Sequence, residues 1–119
     1  MAEKQIQRGS CHCGAVRYTA ATRLDPVLDC NCSICTKGGF LWTFVRPEDF
    51  TLESGEEAVR EYRFNKHAIG HRFCSTCGME AFARGTLPDG RAMVAVNVRC
   101  LDDVDVRALT LTPFDGRSL

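Results

Sequence analysis

Three cysteines fall within six positions of the stretch CNCSIC, at Cys30, Cys32 and Cys35. Thiolate sulfur is a strong ligand for zinc and other soft metals. Four more cysteines form two pairs, Cys11 with Cys13 in SCHCG and Cys74 with Cys77 in FCSTCG. Each pair is followed at once by glycine, which permits a tight turn with positive φ. Neighbours in C-x-C spacing close a disulfide only with strain, so a shared metal explains them better. Together the two pairs complete a tetrahedral site of four thiolates. They lie roughly sixty residues apart, so the ion clips distant parts of the chain and its binding is coupled to folding. The central trio is either an open site, with substrate or water in the fourth position, or a second closed site completed by His67, His71 or Cys100. Spacing alone does not choose between them. An iron–sulfur cluster also takes thiolates, but none of its common spacings matches this chain.

The remaining candidates read differently. Cys100 ends the run RAMVAVNVRC, where Val94, Val96, Val98 and Cys100 share one face of a strand. It reads as a small buried hydrophobe. His71 precedes Cys74 by three positions and reads as a structural or ligand-orienting histidine. His12 sits between two ligand cysteines and is expected to point away from the metal, while His67 in FNKH reads as a solvated turn residue.

The elements that must position these groups are mostly strands. FLWTFV (40–45) predicts a strand buried on both faces, and RPEDF (46–50) one helical turn at most. AVREYRF (58–64) is a strand with two mixed faces. MEAFARG (79–85) and RAMVAVNVRC (91–100) flank LPDG (87–90), a hairpin signal in which Pro fixes φ and Gly accepts positive φ. VRALTL (106–111) is a last strand. Helical periodicity is weak, so the expected fold is all-β, with metal knuckles between short strands.

Composition narrows the class. The 119 residues suit a single domain spanning 1–119, and Lys plus Arg balances Asp plus Glu at 15 each, which is no footprint for nucleic acid. No apolar run reaches the length of about 18 residues that marks a transmembrane helix. MAEKQIQRGS lacks the apolar core of a signal peptide, which predicts a cytoplasmic protein with reduced thiols. Eight cysteines in that setting indicate metal rather than four disulfides.

The pieces GSCHCGAVRY (9–18), CNCSICTKGG (30–39), FVRPEDF (44–50), HRFCSTCG (71–78) and NVRCLDDVD (97–105) resemble, in order, the glutathione-dependent formaldehyde-activating enzyme family, which includes the centromere protein V-like zinc domain. The resemblance implies a β-tent fold of small antiparallel sheets organised around zinc. It assigns Cys11, Cys13, Cys74 and Cys77 to a structural zinc and Cys30, Cys32 and Cys35 to a catalytic one. It implies a carbon–sulfur lyase whose reaction joins glutathione and formaldehyde as S-hydroxymethylglutathione. The rival class is a non-catalytic thiol carrier or a zinc-stabilised interaction module, since thiols add to formaldehyde unaided. Three thiolates and one zinc dication leave the site with net negative charge, and Lys37 is the cation best placed by sequence to offset it. Arg72 and Arg99 are weaker candidates for the same task.

Overall fold

A computed structural model describes residues 3–64 and 69–118. Alternation of apolar and polar residues builds its first sheet. Strands β1 (Gln5–Ser10) and β2 (Arg17–Thr22) form an antiparallel hairpin, and β5 (Phe50–Ser54) pairs with the other edge of β2. In β2 every second residue, Tyr18, Ala20 and Thr22, is buried. The second sheet contains β3 (Val27–Cys30), β4 (Trp42–Val45), β6 (Val59–Tyr62), β7 (Ile69–Cys74), β8 (Glu80–Thr86), β9 (Ala92–Asn97) and β10 (Leu111–Phe114). Its order is β10-β3-β4-β9-β8-β7-β6, antiparallel throughout except that β10 runs parallel to β3. One short helix, α1 (Ser33–Gly38), links β3 to β4.

The main core lies between the sheets. Tyr18, Phe50 and Phe82 pack as a triangle of rings, with Tyr18 and Phe82 centroids 5.1 and 4.9 Å from Phe50 and 6.0 Å from each other. The sealed Tyr18 hydroxyl donates to the Ala81 carbonyl at 3.1 Å, so its one polar atom is satisfied. β9 serves two cores at once. Val94 and Val96 face the inter-sheet core, whereas Met93 and Ala95 join Trp42, Ala83 and Cys35 on the opposite face. Burial on both sides explains why β9 reads as a near-continuous apolar run.

The all-β expectation holds, and so does the hairpin of β8 and β9. Its turn has Gly90 at φ 90° and an Leu87 N–H bond to the Arg91 carbonyl. Pro47–Asp49 makes a single 3-10 turn, and of the strand expected over 58–64 the part Val59–Tyr62 forms β6, with Ala58 ending a 3-10 turn before it. Three expectations need correction. β4 is not buried on both faces: Phe44 is 42% exposed, because the side it shares with Trp42 borders a cavity. The strand expected through residue 100 stops at Asn97, whose side chain accepts from the Arg99 N–H and turns Val98–Cys100 into a 3-10 helix. Cys100 therefore lies in that 3-10 helix and not in the strand, and it stays half-buried against the core that contains Val94, Val96 and Val98. The strand expected at 106–111 is displaced. Val106–Ala108 is a 3-10 turn capped by Asp105, and β10 starts only at Leu111. Pro113 is tolerated there because β10 is an edge strand.

Candidate metal centres

The first centre is built by two turns that need glycine. Gly14 and Gly78 take φ of 83° and 78°, which brings Cys11 and Cys13 back on one side and Cys74 and Cys77 on the other. All four sulfurs lie within 4.8 Å of one another. Cys11 and Cys13 are 3.6 Å apart, and Cys13 and Cys74 are 3.7 Å apart. A tetrahedron with metal–sulfur bonds of about 2.3 Å has edges of about 3.8 Å, so the donor set fits zinc. Backbone N–H groups point at the sulfurs, from Val16 to Cys11 at 3.3 Å and from Thr76 to Cys74 at 3.4 Å. Burial would raise the Cys77 thiol, but backbone amides at Cys13 and Met79 hold it down at about 6. Backbone amides at Cys77 and Thr76 lower Cys74 as well. At Cys13 the Ala15 amide is outweighed by the Cys11 thiol, burial and the Cys74 thiol, which push it up to about 11. Cys74 and Cys77 are thus the pair that favours thiolate, the form a metal requires.

The second centre sits where β3 runs into α1. Cys30 ends the strand, Cys32 is the N-cap of the helix, and Cys35 lies one turn on. Gly39 closes the helix at φ 70°, with its N–H bonded to the Cys35 carbonyl at 2.9 Å. The three sulfurs lie within 4.8 Å of one another, and among the described residues no fourth Cys, His, Asp or Glu joins them. The Trp42 indole N–H donates to Cys35 Sγ at 3.1 Å, and the Cys32 N–H to Cys30 Sγ at 3.4 Å. Burial pushes the Cys30 and Cys35 thiols up. Cys32 is lowered, because the amides at Cys35 and Ile34 and the neighbouring thiols outweigh its desolvation.

The trio lines one end of a cavity of about 270 Å³ whose other walls are mostly apolar. Among the described residues one other ionisable side chain lines it. His71, on β7, lines the cavity while its Nδ1 meets Glu80 Oε2 at 2.6 Å. Nδ1 is engaged, so Nε2 is the nitrogen left for the cavity. Burial raises the Glu80 carboxyl, and its bond and attraction to His71 oppose that rise.

The chain's last described residues roof the trio. Asn31, between two of the cysteines, donates its backbone N–H to the Phe114 carbonyl at 3.1 Å and its side-chain amide to Asp115 at 3.0 Å. Its side-chain oxygen accepts from the Arg117 N–H at 2.8 Å. Gly116 then passes so close that a Cβ there would sit 2.5 Å from Cys30 Sγ.

The structure brings Cys11, Cys13, Cys74 and Cys77 together, and likewise Cys30, Cys32 and Cys35. Cys100 belongs to neither cluster; burial and the nearby Cys11 and Cys77 push its thiol up to about 12. His71 borders the trio's cavity but does not join the sulfurs, His12 is exposed, and His67 lies outside the described residues. Lys37 is exposed and lines a separate groove with Phe40, Tyr62 and Phe64, not the trio's cavity. Arg72 pairs with Glu61 at 2.6 Å, and Arg99 donates to the Gly39 carbonyl at 2.9 Å. Sequence reasoning missed Glu80, Trp42, Asn31 and Gly116, which reach the site through contacts that no local pattern announces.

Fold and sites together define a small β domain with two cysteine clusters fit for metal, one four-fold and one three-fold. The chain belongs to the glutathione-dependent formaldehyde-activating enzyme family, whose model matches residues 6–113. It is also similar to a Rhodobacter sphaeroides protein whose crystal structure was determined as a structural-genomics target. The two are 30% identical with a TM-score of 0.78, and the match covers 89% of this chain and 97% of that one.

Proposed function

We propose that this protein is a zinc-dependent enzyme of the carbon–sulfur lyase type, making or breaking the adduct of a thiol with an aldehyde. S-hydroxymethylglutathione, from glutathione and formaldehyde, is the form the family name suggests. The observation that carries this reading is the trio of convergent sulfurs, without a fourth protein ligand among the described residues, at the end of a cavity. Cys11, Cys13, Cys74 and Cys77 hold a structural zinc, and Cys30, Cys32 and Cys35 a catalytic one. Zinc with an open position supplies a lowered thiol pKa and polarisation of a carbonyl oxygen.

The chain's own groups do the rest. Trp42 fixes Cys35 through its indole N–H and tempers the charge on that sulfur. His71 Nε2 takes the proton of the incoming thiol and returns it to the aldehyde oxygen. The C–S bond forms as the C=O π bond opens, and one proton passes from sulfur to oxygen, so no oxidant or reductant is needed. Glu80 holds Nδ1 and orients the ring. Lys37 is proposed to attract an anionic thiol from its groove at the surface. Among the described residues no helix is long and apolar enough to cross a membrane. Eight free cysteines suit a reducing compartment, and we place the protein in the cytoplasm.

Adduct formation followed with zinc-loaded protein, with Cys32→Ala and without protein tests the reading. A faster initial rate with the intact protein alone supports an enzyme. Equal rates, with thiol binding kept by the intact protein, would instead make it a thiol carrier.

A further inference from the structure

We infer that the thiol preferred by the three-cysteine centre carries a compact, uncharged apolar group, aryl or branched alkyl, rather than the charged arms of glutathione. The inference rests on the reading that this centre accepts a thiol.

The cavity beside the trio is far larger than formaldehyde, a single carbon, requires. Its space must therefore serve the substituent on the thiol. Leu28, Phe44, Phe64, Ile69, Met93 and Phe114 supply apolar wall on several sides. Phe44, Ile69 and Phe114 are 42%, 39% and 41% exposed, an unusual cost for large apolar side chains grouped at one opening. A ligand with an apolar body would cover them.

Glutathione brings two carboxylates and an ammonium group. No described residue lining the cavity is Lys or Arg. The cations that the sequence singled out lie elsewhere among the described residues. Arg72 bonds Glu61, Arg99 bonds the Gly39 carbonyl, and Lys37 lies in the adjoining groove. Two carboxylates and an ammonium group entering this space would lose water with only His71 Nε2, among the described lining residues, left to meet them. The centre is itself anionic once three thiolates surround a dication, and a fourth thiolate adds to that charge. Further carboxylates nearby are repelled, whereas an uncharged substituent is not. Gly116 lines the cavity beside Cys30, where a methyl group on it would meet the sulfur.

The test is calorimetric titration of the full zinc-loaded chain with phenylmethanethiol, glutathione and 2-sulfanylethanol, compared at equal free thiolate. Phenylmethanethiol is expected to bind about tenfold or more tightly than either of the others, as burial of a phenyl group predicts. Phe44→Arg, which sets a cation at the cavity rim, should narrow or reverse the preference over glutathione. Glutathione binding as tightly as phenylmethanethiol would overturn the inference and leave the thiol centre standing. An unaltered preference in Phe44→Arg would also overturn it, since the cavity would then not hold the substituent. Failure of all three thiols to bind protein carrying two zinc ions would remove the thiol centre itself, and the inference with it.

Discussion

His71 and Glu80 meet at 2.6 Å through Nδ1 and Oε2, both nearly sealed from solvent, with the imidazole on the wall of the three-cysteine cavity. A buried carboxylate on one ring nitrogen fixes which nitrogen serves the cavity. His71→Gln should lower the rate of adduct formation by about 10²-fold or more, with zinc content and thiol affinity kept. Added imidazole should restore part of the rate in His71→Gly, which a purely structural histidine would not allow. Unchanged kinetics in His71→Gln would exclude the proton-transfer role.

The same pair predicts a pH dependence of stability. Burial raises the Glu80 carboxyl above its ordinary value of 4.5, with His71 opposing. The folded chain thus holds this proton more tightly than the unfolded chain does. Its contribution to stability is complete below 4.5 and is lost as pH rises through the higher folded value. Urea midpoints for Glu80→Gln should lose this part of the slope as pH rises above 4.5. An identical slope in wild type and variant would show that Glu80 does not titrate differently on folding.

The two cysteine clusters should differ in what their loss costs. Cys74→Ala breaks the knot that joins the turns after β1 and β7, so the chain should unfold or aggregate. Cys32→Ala should reduce zinc from two ions per chain to one while circular dichroism stays near that of the wild type. Equally severe unfolding in both variants would erase the distinction between a structural and an open centre.

Gly116 offers a steric test of the tail that roofs the trio. A methyl group there meets Cys30 Sγ at 2.5 Å and Cys32 Cβ at 3.2 Å, so the tail or the ligand loop must shift. Gly116→Ala should weaken metal retention at the trio alone, measured as faster loss of one of two zinc ions to a chelator. Asn31→Ala, which removes the side-chain bonds to Asp115 and Arg117, should act in the same direction. Loss of both ions at equal rates would mean that the tail does not act on the trio specifically.

Cys100 should behave as a buried thiol. Burial first, then the nearby cysteines, push it up to about 12, so it should resist alkylation at pH 8 in the native protein. Cys100→Ala should keep both zinc ions at a stability cost of about 1 kcal/mol. Loss of an ion in that variant would make Cys100 a ligand.

The parts of this protein that were legible in its sequence are those whose cause is local. The glycines after Cys13 and Cys77 and the spacing of the cysteines announce two clusters, and LPDG announces the turn between β8 and β9. The rest depends on partners far along the chain. α1 is only six residues long, too short to display a helical period. Residues 98–100 continue an alternating pattern, yet the Asn97 side chain caps them into a 3-10 turn. Phe44 looks like core until the strand is placed beside a cavity. His71 gains its place from cross-strand packing and from Glu80, nine positions later. The parallel pairing of β10 with β3 joins residues 111–114 to 27–30, and no turn signal specifies such a contact.

That parallel pairing also sets an order of events during synthesis. The four-cysteine knot has all its ligands once Cys77 has emerged from the ribosome. The trio emerges much earlier, at residues 30 to 35, but its roof is Gly116, with Phe114 in register beside Cys30. Until residues 111 to 116 have emerged, then, three closely spaced thiols stand uncovered, open to oxidants and to whichever soft metal reaches them first. Strand β10 is the one that closes this window.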